Sequence, residues 1–152
     1  MKEAIGGTWL FLIVILFLGL FASYLCLSIN YSRAFKVRDE IINIIENKKG
    51  IWDAHGTDTG AIAEIQDYLA SVGHRADGVC DDGFDGYNLS SKGITTNKPV
   101  FCIKTIDSST YKDVLTSRYY KVQVFYELDI PIFRQFFNST IYGTTRRVAI
   151  AR

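Results

Sequence analysis

The sequence predicts an α+β protein. A long N-terminal helix, half transmembrane and half amphipathic, packs with a second helix on a three- to four-stranded antiparallel sheet. Three observations carry this. The uncharged apolar run Trp9 to Ile29 leads straight into an amphipathic stretch that stops only near Asn47. A shorter helical period recurs between Thr59 and Val72. The C-terminal part holds three β-rich runs in succession at hairpin-like spacings.

At ~1.5 Å rise per residue, Trp9–Ile29 spans roughly 30 Å, the thickness of a bilayer's hydrocarbon core. A soluble core helix this long is rarely apolar on every side. A cleavable signal peptide has a shorter apolar region ending in a small-x-small site. Ala22-Ser23-Tyr24 does not fit that pattern, and the run continues beyond it, so the segment reads as an uncleaved anchor. Past the span, Phe35, Val37, Ile41, Ile42, Ile44 and Ile45 form an apolar stripe opposite Arg38, Asp39, Glu40, Asn43 and Glu46. Asn47-Lys48-Lys49-Gly50 is a C-terminal stop. The expected organisation is a tail at 1–8, a transmembrane helix at 9–29, an amphipathic extension at 30–49 and an α+β head at 50–152.

Within the head, Asp58 or Thr59 is expected to cap the second helix, Ile62, Ile65, Leu69 and Val72 to form its apolar face, and Gly73 to end it. His74 to Asn97 is polar and rich in Gly, Asp, Ser and Asn, too long for a simple turn. Strands are expected at Val100–Ile106, Arg118–Asp129 and Thr140–Ala151. In the second, Tyr120, Val122, Val124, Tyr126 and Leu128 share one face, while Lys121, Gln123 and Glu127 share the other. Pro131 ends that strand, and Ile132–Phe137 bridges to the last.

Charge and cysteines bear on location. The net charge is +1, and no basic run interleaved with aromatics offers a nucleic-acid patch. Asp53 to Leu89 carries eight acids against one base, whereas Lys98 to Arg152 carries nine bases against four acids. Such separation can orient subunits in an assembly. Counting Arg33, Lys36 and Arg38 after the span against Lys2 before it places the head in the cytoplasm. Cys80 and Cys102, a pair in a small domain, instead suit an oxidising compartment and a disulfide closing the Gly/Asp loop. The cysteines decide the expectation: a single-pass cell-membrane protein, N-terminus cytoplasmic, head extracytoplasmic.

No catalytic motif is present. G-x-S-x-G, P-loop and dinucleotide fingerprints are all missing, so neither an enzyme nor a small-molecule substrate is inferred. His55 and His74 lack metal-ligand spacing. Asp77, Asp81, Asp82 and Asp85 lie among Gly78, Gly83 and Gly86 in an oxygen-rich loop of the kind that can hold calcium. The EF-hand spacing and distal Glu are missing, and solvated turn chemistry accounts for the same residues. Beyond that calcium candidate, no cofactor is expected. Phe133, Arg134, Phe136 and Phe137 form an aromatic–Arg cluster suited to a subunit contact, or to the core.

Two local patterns carry a resemblance. Gly6-Gly7-Thr8-Trp9-Leu10-Phe11 opens the apolar helix, which runs on into Ser32-Arg33-Ala34-Phe35-Lys36-Val37. Near the other end, Val124-Phe125-Tyr126-Glu127-Leu128-Asp129-Ile130-Pro131-Ile132-Phe133 precedes Ile141-Tyr142-Gly143-Thr144-Thr145-Arg146-Arg147. This layout resembles the TadE-like minor pilins, or pseudopilins, of tight-adherence, type IV-related pili. The resemblance covers the ends of the chain and leaves residues 50–97 unmatched. It implies a structural component of a pilus or a related secretion assembly, partnered by the membrane and by other pilin-like subunits or assembly-platform proteins. The assembly helix would use Trp9, Phe11, Phe17, Phe21, Phe35, Ile41 and Ile45. The family's prepilins are typically cut after a Gly, with a Glu at the fifth mature position. Cleavage after Gly6 or Gly7 would put Phe11 or Leu12 there, and the span contains no Glu. That departure points to a minor or machine-resident component rather than a polymerising subunit. The alternative expectation is an anchored extracytoplasmic ligand-binding or sensor domain that uses the loop at 77–88.

Overall fold

The computed structural model describes residues 2–52, 56–91, 93–111, 114–127 and 138–149. Its first element, α1 (Lys2–Asn47), is one uninterrupted helix of 46 residues, about 70 Å long at 1.5 Å per residue. The expected C-terminal stop is present. The Gly50 N–H reaches back to the Ile45 carbonyl at 2.8 Å while Lys49 and Gly50 both take positive φ, reversing the chain. Gly50 is the only residue type that fits here. Its φ is +112°, and a Cβ would lie 2.5 Å from the Tyr120 hydroxyl oxygen, which accepts the buried Ile51 N–H at 3.2 Å.

The second helix, α2 (Ala61–Val72), starts two residues later than the sequence implies, and neither expected cap serves as one. Gly60 occupies the N-cap in a left-handed conformation with no side-chain capping bond. Asp58 instead accepts the Gly60 N–H at 2.9 Å, and the Thr59 hydroxyl donates to the Gly50 carbonyl at 2.7 Å. Both side chains are spent on closing the 50–60 loop against the end of α1. Ile65 and Leu69 are buried as the periodicity requires, Ile62 only partly, Ala61 is buried beside them, and Gly73 caps the C-terminus in the left-handed region. Val72 is 49% exposed rather than part of the core.

Among the described residues, seven strands follow: β1 (Asp85–Tyr87), β2 (Ser90–Ser91), β3 (Ile94–Thr95), β4 (Phe101–Tyr111), β5 (Val114–Glu127), β6 (Asn138–Thr144) and β7 (Val148–Ala149). The main sheet is antiparallel in the order β1-β4-β5-β6, with β7 also on β5, while β2 and β3 form a small separate hairpin. The meander β4-β5-β6 is the one read from the sequence. The closing strand is not continuous, because Thr145 interrupts it. The Thr145 hydroxyl accepts the Tyr120 N–H at 2.9 Å and its own N–H donates to the Tyr120 carbonyl at 2.9 Å, so a side chain replaces one rung of the ladder. β1, β2 and β3 lie in the polar stretch where no strand was expected. Leu128, Pro131 and the bridge at 132–137 lie outside the described residues.

The core forms where α1 and α2 cover the inner face of the sheet. Val37, Ile41, Ile44 and Ile45 of α1 meet Ala61, Ile65 and Leu69 of α2 and Phe101, Ile103, Tyr120, Val122 and Val124 of β4 and β5. Burying each large aliphatic here is worth roughly 1.5–3 kcal/mol relative to exposure. α1 packs tightly against β6 at Gly143. A Cβ on Gly143 would lie 2.6 Å from Ile42 Cδ1 and 2.7 Å from Arg38 Cδ. Arg38 donates to the Tyr142 carbonyl there at 3.2 Å, and Glu46 accepts the Arg146 N–H at 2.7 Å.

Candidate functional site

The most conspicuous surface is the first half of α1. Trp9, Phe11, Phe17 and Phe21 are each more than half exposed, as are most of the aliphatic residues between them. The helix is long and apolar enough to cross a membrane, and none of its apolar window is buried. Ser23 donates its hydroxyl hydrogen to the Gly19 carbonyl at 2.9 Å, satisfying this polar group within the helix, as a lipid environment demands. The seven residues expected to form an assembly helix therefore divide. Phe35 is half-buried, with Tyr31 edge-on at 4.6 Å and the Arg38 guanidinium over its ring at 4.5 Å. Ile41 and Ile45 are wholly enclosed by the head and serve its core instead of a lateral contact.

The Gly/Asp loop is an ordered strap across the outer face of the sheet. Cys80 and Cys102 are bonded, with Cα atoms 5.8 Å apart, which pins the strap to β4. The Asp81 N–H donates to Gln123 Oε1 on β5 at 3.1 Å, and Asp81 Oδ2 accepts the Tyr142 hydroxyl on β6 at 2.6 Å. Lys104 of β4 lies 5.7 Å from the centre of the Phe84 ring. Four contacts thus tie one short segment to three neighbouring strands. The expected polar face of β5 is accordingly covered in its middle: Gln123 is 1% exposed and Phe125 6%.

The loop glycines follow from the same packing. A Cβ on Gly78 would collide with the Phe125 ring, and one on Gly86 would lie 2.7 Å from Pro99 and 2.8 Å from the Cys80 sulfur. The four aspartates do not converge on a cation: no three His, Cys, Asp or Glu side chains gather to hold a metal among the described residues. Asp81 spends its carboxylate on Tyr142, and Asp85 stands in β1. The signal that the sequence offered for this cover was Phe125, an aromatic on the strand face shared by Lys121, Gln123 and Glu127.

His74 sits at the start of the strap. Burial holds its imidazole below the usual histidine range, opposed in part by a hydrogen bond to the Phe125 backbone. Its Nε2 is buried with no partner among the described residues. His55 and the cluster Phe133, Arg134, Phe136 and Phe137 lie outside the described residues. Cys26 is a free, exposed thiol within the apolar half of α1. Comparison with family models, curated proteins and solved structures found no match.

Proposed function

We propose that the protein is a membrane-anchored, pilin-like structural component of a pilus or related secretion assembly, with its N-terminus in the cytoplasm and its head outside. The observation that carries this reading is the continuity of α1. One helix supplies an exposed apolar half and then, without a break, the buried spine of an α+β head. A tether alone does not require that continuity, whereas a subunit that packs through its helix does. The disulfide favours an oxidising compartment for the head. The resemblance of the chain's two ends to TadE-like minor pilins supplies the class of assembly. With no Glu in the span, the protein acts as a minor or machine-resident component, making secondary contacts through its head.

The alternative role for the loop at 77–88, ligand binding, is less favoured because the loop's groups are engaged with the sheet. Three measurements test the proposal. Asn97→Cys, in an exposed loop, should react with a membrane-impermeant thiol reagent from outside intact cells. Mass spectrometry of the mature N-terminus should find Met1 or Lys2 retained. A photo-crosslinker at Phe17 should yield adducts containing another pilin-like subunit or a polytopic platform protein. Lipid adducts alone would overturn the assembly role, and labelling only after lysis would overturn the orientation.

A further inference from the structure

A cavity of about 490 Å³ lies where α1 leaves its apolar half, walled by α1, the end of α2 and the end of β5. Its chemistry-bearing lining is Asn30, Arg33, His74, Arg75, Tyr126 and Glu127. Arg33 and Arg75 are exposed and have no ion-pair or hydrogen-bond partner among the described residues. With His74 neutral, two guanidiniums face one carboxylate, and the lining carries a net positive charge. His74, whose buried Nε2 has no partner among the described residues, also lines this cavity.

The level of this cavity follows from helix geometry. Arg33 lies four residues past Ile29, the last residue of the apolar run, hence about 6 Å further along the axis. The headgroup layer of a leaflet is roughly 5–8 Å deep. Tyr31 touches Tyr126 with ring centres 6.1 Å apart, which brings the end of β5 to the same height. Below the cavity, Leu25 and Ile29 are exposed on α1, an apolar seat for an acyl chain that a free anion would not use.

We propose that this cavity seats the phosphodiester headgroup of an anionic glycerolipid. Arg33 and Arg75 clamp the phosphate. This rests on the anchored reading above. It makes the head a part that docks on the bilayer surface.

The test uses the full-length chain in detergent, titrated with phosphatidylglycerol or phosphatidylcholine and read by native mass spectrometry. Phosphatidylglycerol should be retained preferentially, with roughly a fivefold contribution per arginine. Arg33→Gln and Arg75→Gln should each lose that factor, and the double variant should not distinguish the two lipids. Circular dichroism and an intact Cys80–Cys102 bond establish that each variant is folded. Equal retention of both lipids by the wild type, or undiminished preference in the double variant, would overturn the site. Displacement by inorganic phosphate at equal concentration would overturn the lipid assignment. Alkali extraction of the membranes separates the two readings. A chain released by alkali overturns the anchor and this site with it, whereas an alkali-resistant chain indifferent to headgroup overturns this site alone.

Discussion

Tyr142 donates its hydroxyl hydrogen to Asp81 at 2.6 Å across the outer face of the sheet, joining β6 to a strap 61 positions away in the chain. The bond is exposed, so it adds little to stability by itself. One strand inward, the same aspartate uses its backbone N–H on the buried Gln123 amide. A single residue thus makes one exposed bond and one part-buried bond to a buried side chain.

The two bonds should respond differently to substitution. Tyr142→Phe is expected to cost less than about 1 kcal/mol. Gln123→Leu, which leaves the Asp81 N–H without its acceptor, should cost about 1–3 kcal/mol. Denaturant titration of the two variants checks the order. The bond to Asp81, followed by burial and the nearby negative charge, raises the Tyr142 phenol above its ordinary value. Its contribution to stability is therefore complete below the unfolded value near 10 and declines as pH rises through the folded one. Asp81→Asn should lower the Tyr142 titration midpoint, as read by NMR.

Cutting the strap's covalent pin should have the larger effect. With Cys80 and Cys102 22 positions apart, loss of the bond in a double Ser variant is expected to cost roughly 2–4 kcal/mol. Hydrogen exchange should quicken first at residues 78–84 and at Phe125, with the amides of α1 that cover the inner face slower to respond. Uniform loss of protection would show that the strap and the core unfold as one unit.

At Gly143, β6 packs tightly against α1. Gly143→Val should push Ile42 and Arg38 outward, break the Arg38 bond to the Tyr142 carbonyl and destabilise the head by about 1–3 kcal/mol. Thermal unfolding reads the loss. Adding Arg38→Ala to that variant should recover part of it, since one of the crowded side chains is then gone.

His74 should impose an acid limb on stability. Burial lowers its folded value below the unfolded value near 6.5, with the Phe125 hydrogen bond opposing. Its contribution is complete above 6.5 and lost as pH falls from there through the folded value. His74→Gln should flatten that limb in denaturant midpoints measured in detergent between pH 4 and 8. An unchanged slope would place the acid sensitivity elsewhere.

The head should not fold if cut at its apparent boundary. A fragment spanning residues 50–152 lacks Val37, Ile41, Ile44 and Ile45, four members of the core. Losing one such aliphatic typically costs 2–5 kcal/mol, and losing all four exceeds the stability of an ordinary domain. A fragment spanning 30–152 keeps them and should give cooperative melting by circular dichroism, where 50–152 should not.

The helices and the central meander were legible because their signals are local and periodic. The stripe from Val37 to Ile45 and the alternation from Tyr120 to Val124 each report a buried face directly. The disulfide was legible from compartment logic. The strap was not, because what organises it is distant: Gly78 answers to Phe125, Gly86 to Pro99 and Cys80, and Asp81 to Gln123 and Tyr142. A Gly/Asp-rich run reads the same whether its turns face water, a cation or a sheet. The cap of α2 failed for a related reason, since Asp58 and Thr59 suited capping locally but were recruited to close a loop on Gly50 and Gly60. The cavity at Arg33 and Arg75 joins residues on either side of α2 and left no contiguous motif.

The unbroken run of α1 from apolar rod to domain spine also has a mechanical meaning. β5 runs antiparallel to it, from Tyr120 beside Gly50 back to Tyr126 beside Tyr31. A pull along the helix axis therefore loads the interface in shear, across the interdigitated rows of Val37, Ile41, Ile44 and Ile45 together, rather than peeling them one by one. Tension applied at the apolar end of α1 reaches the head with no compliant joint between them.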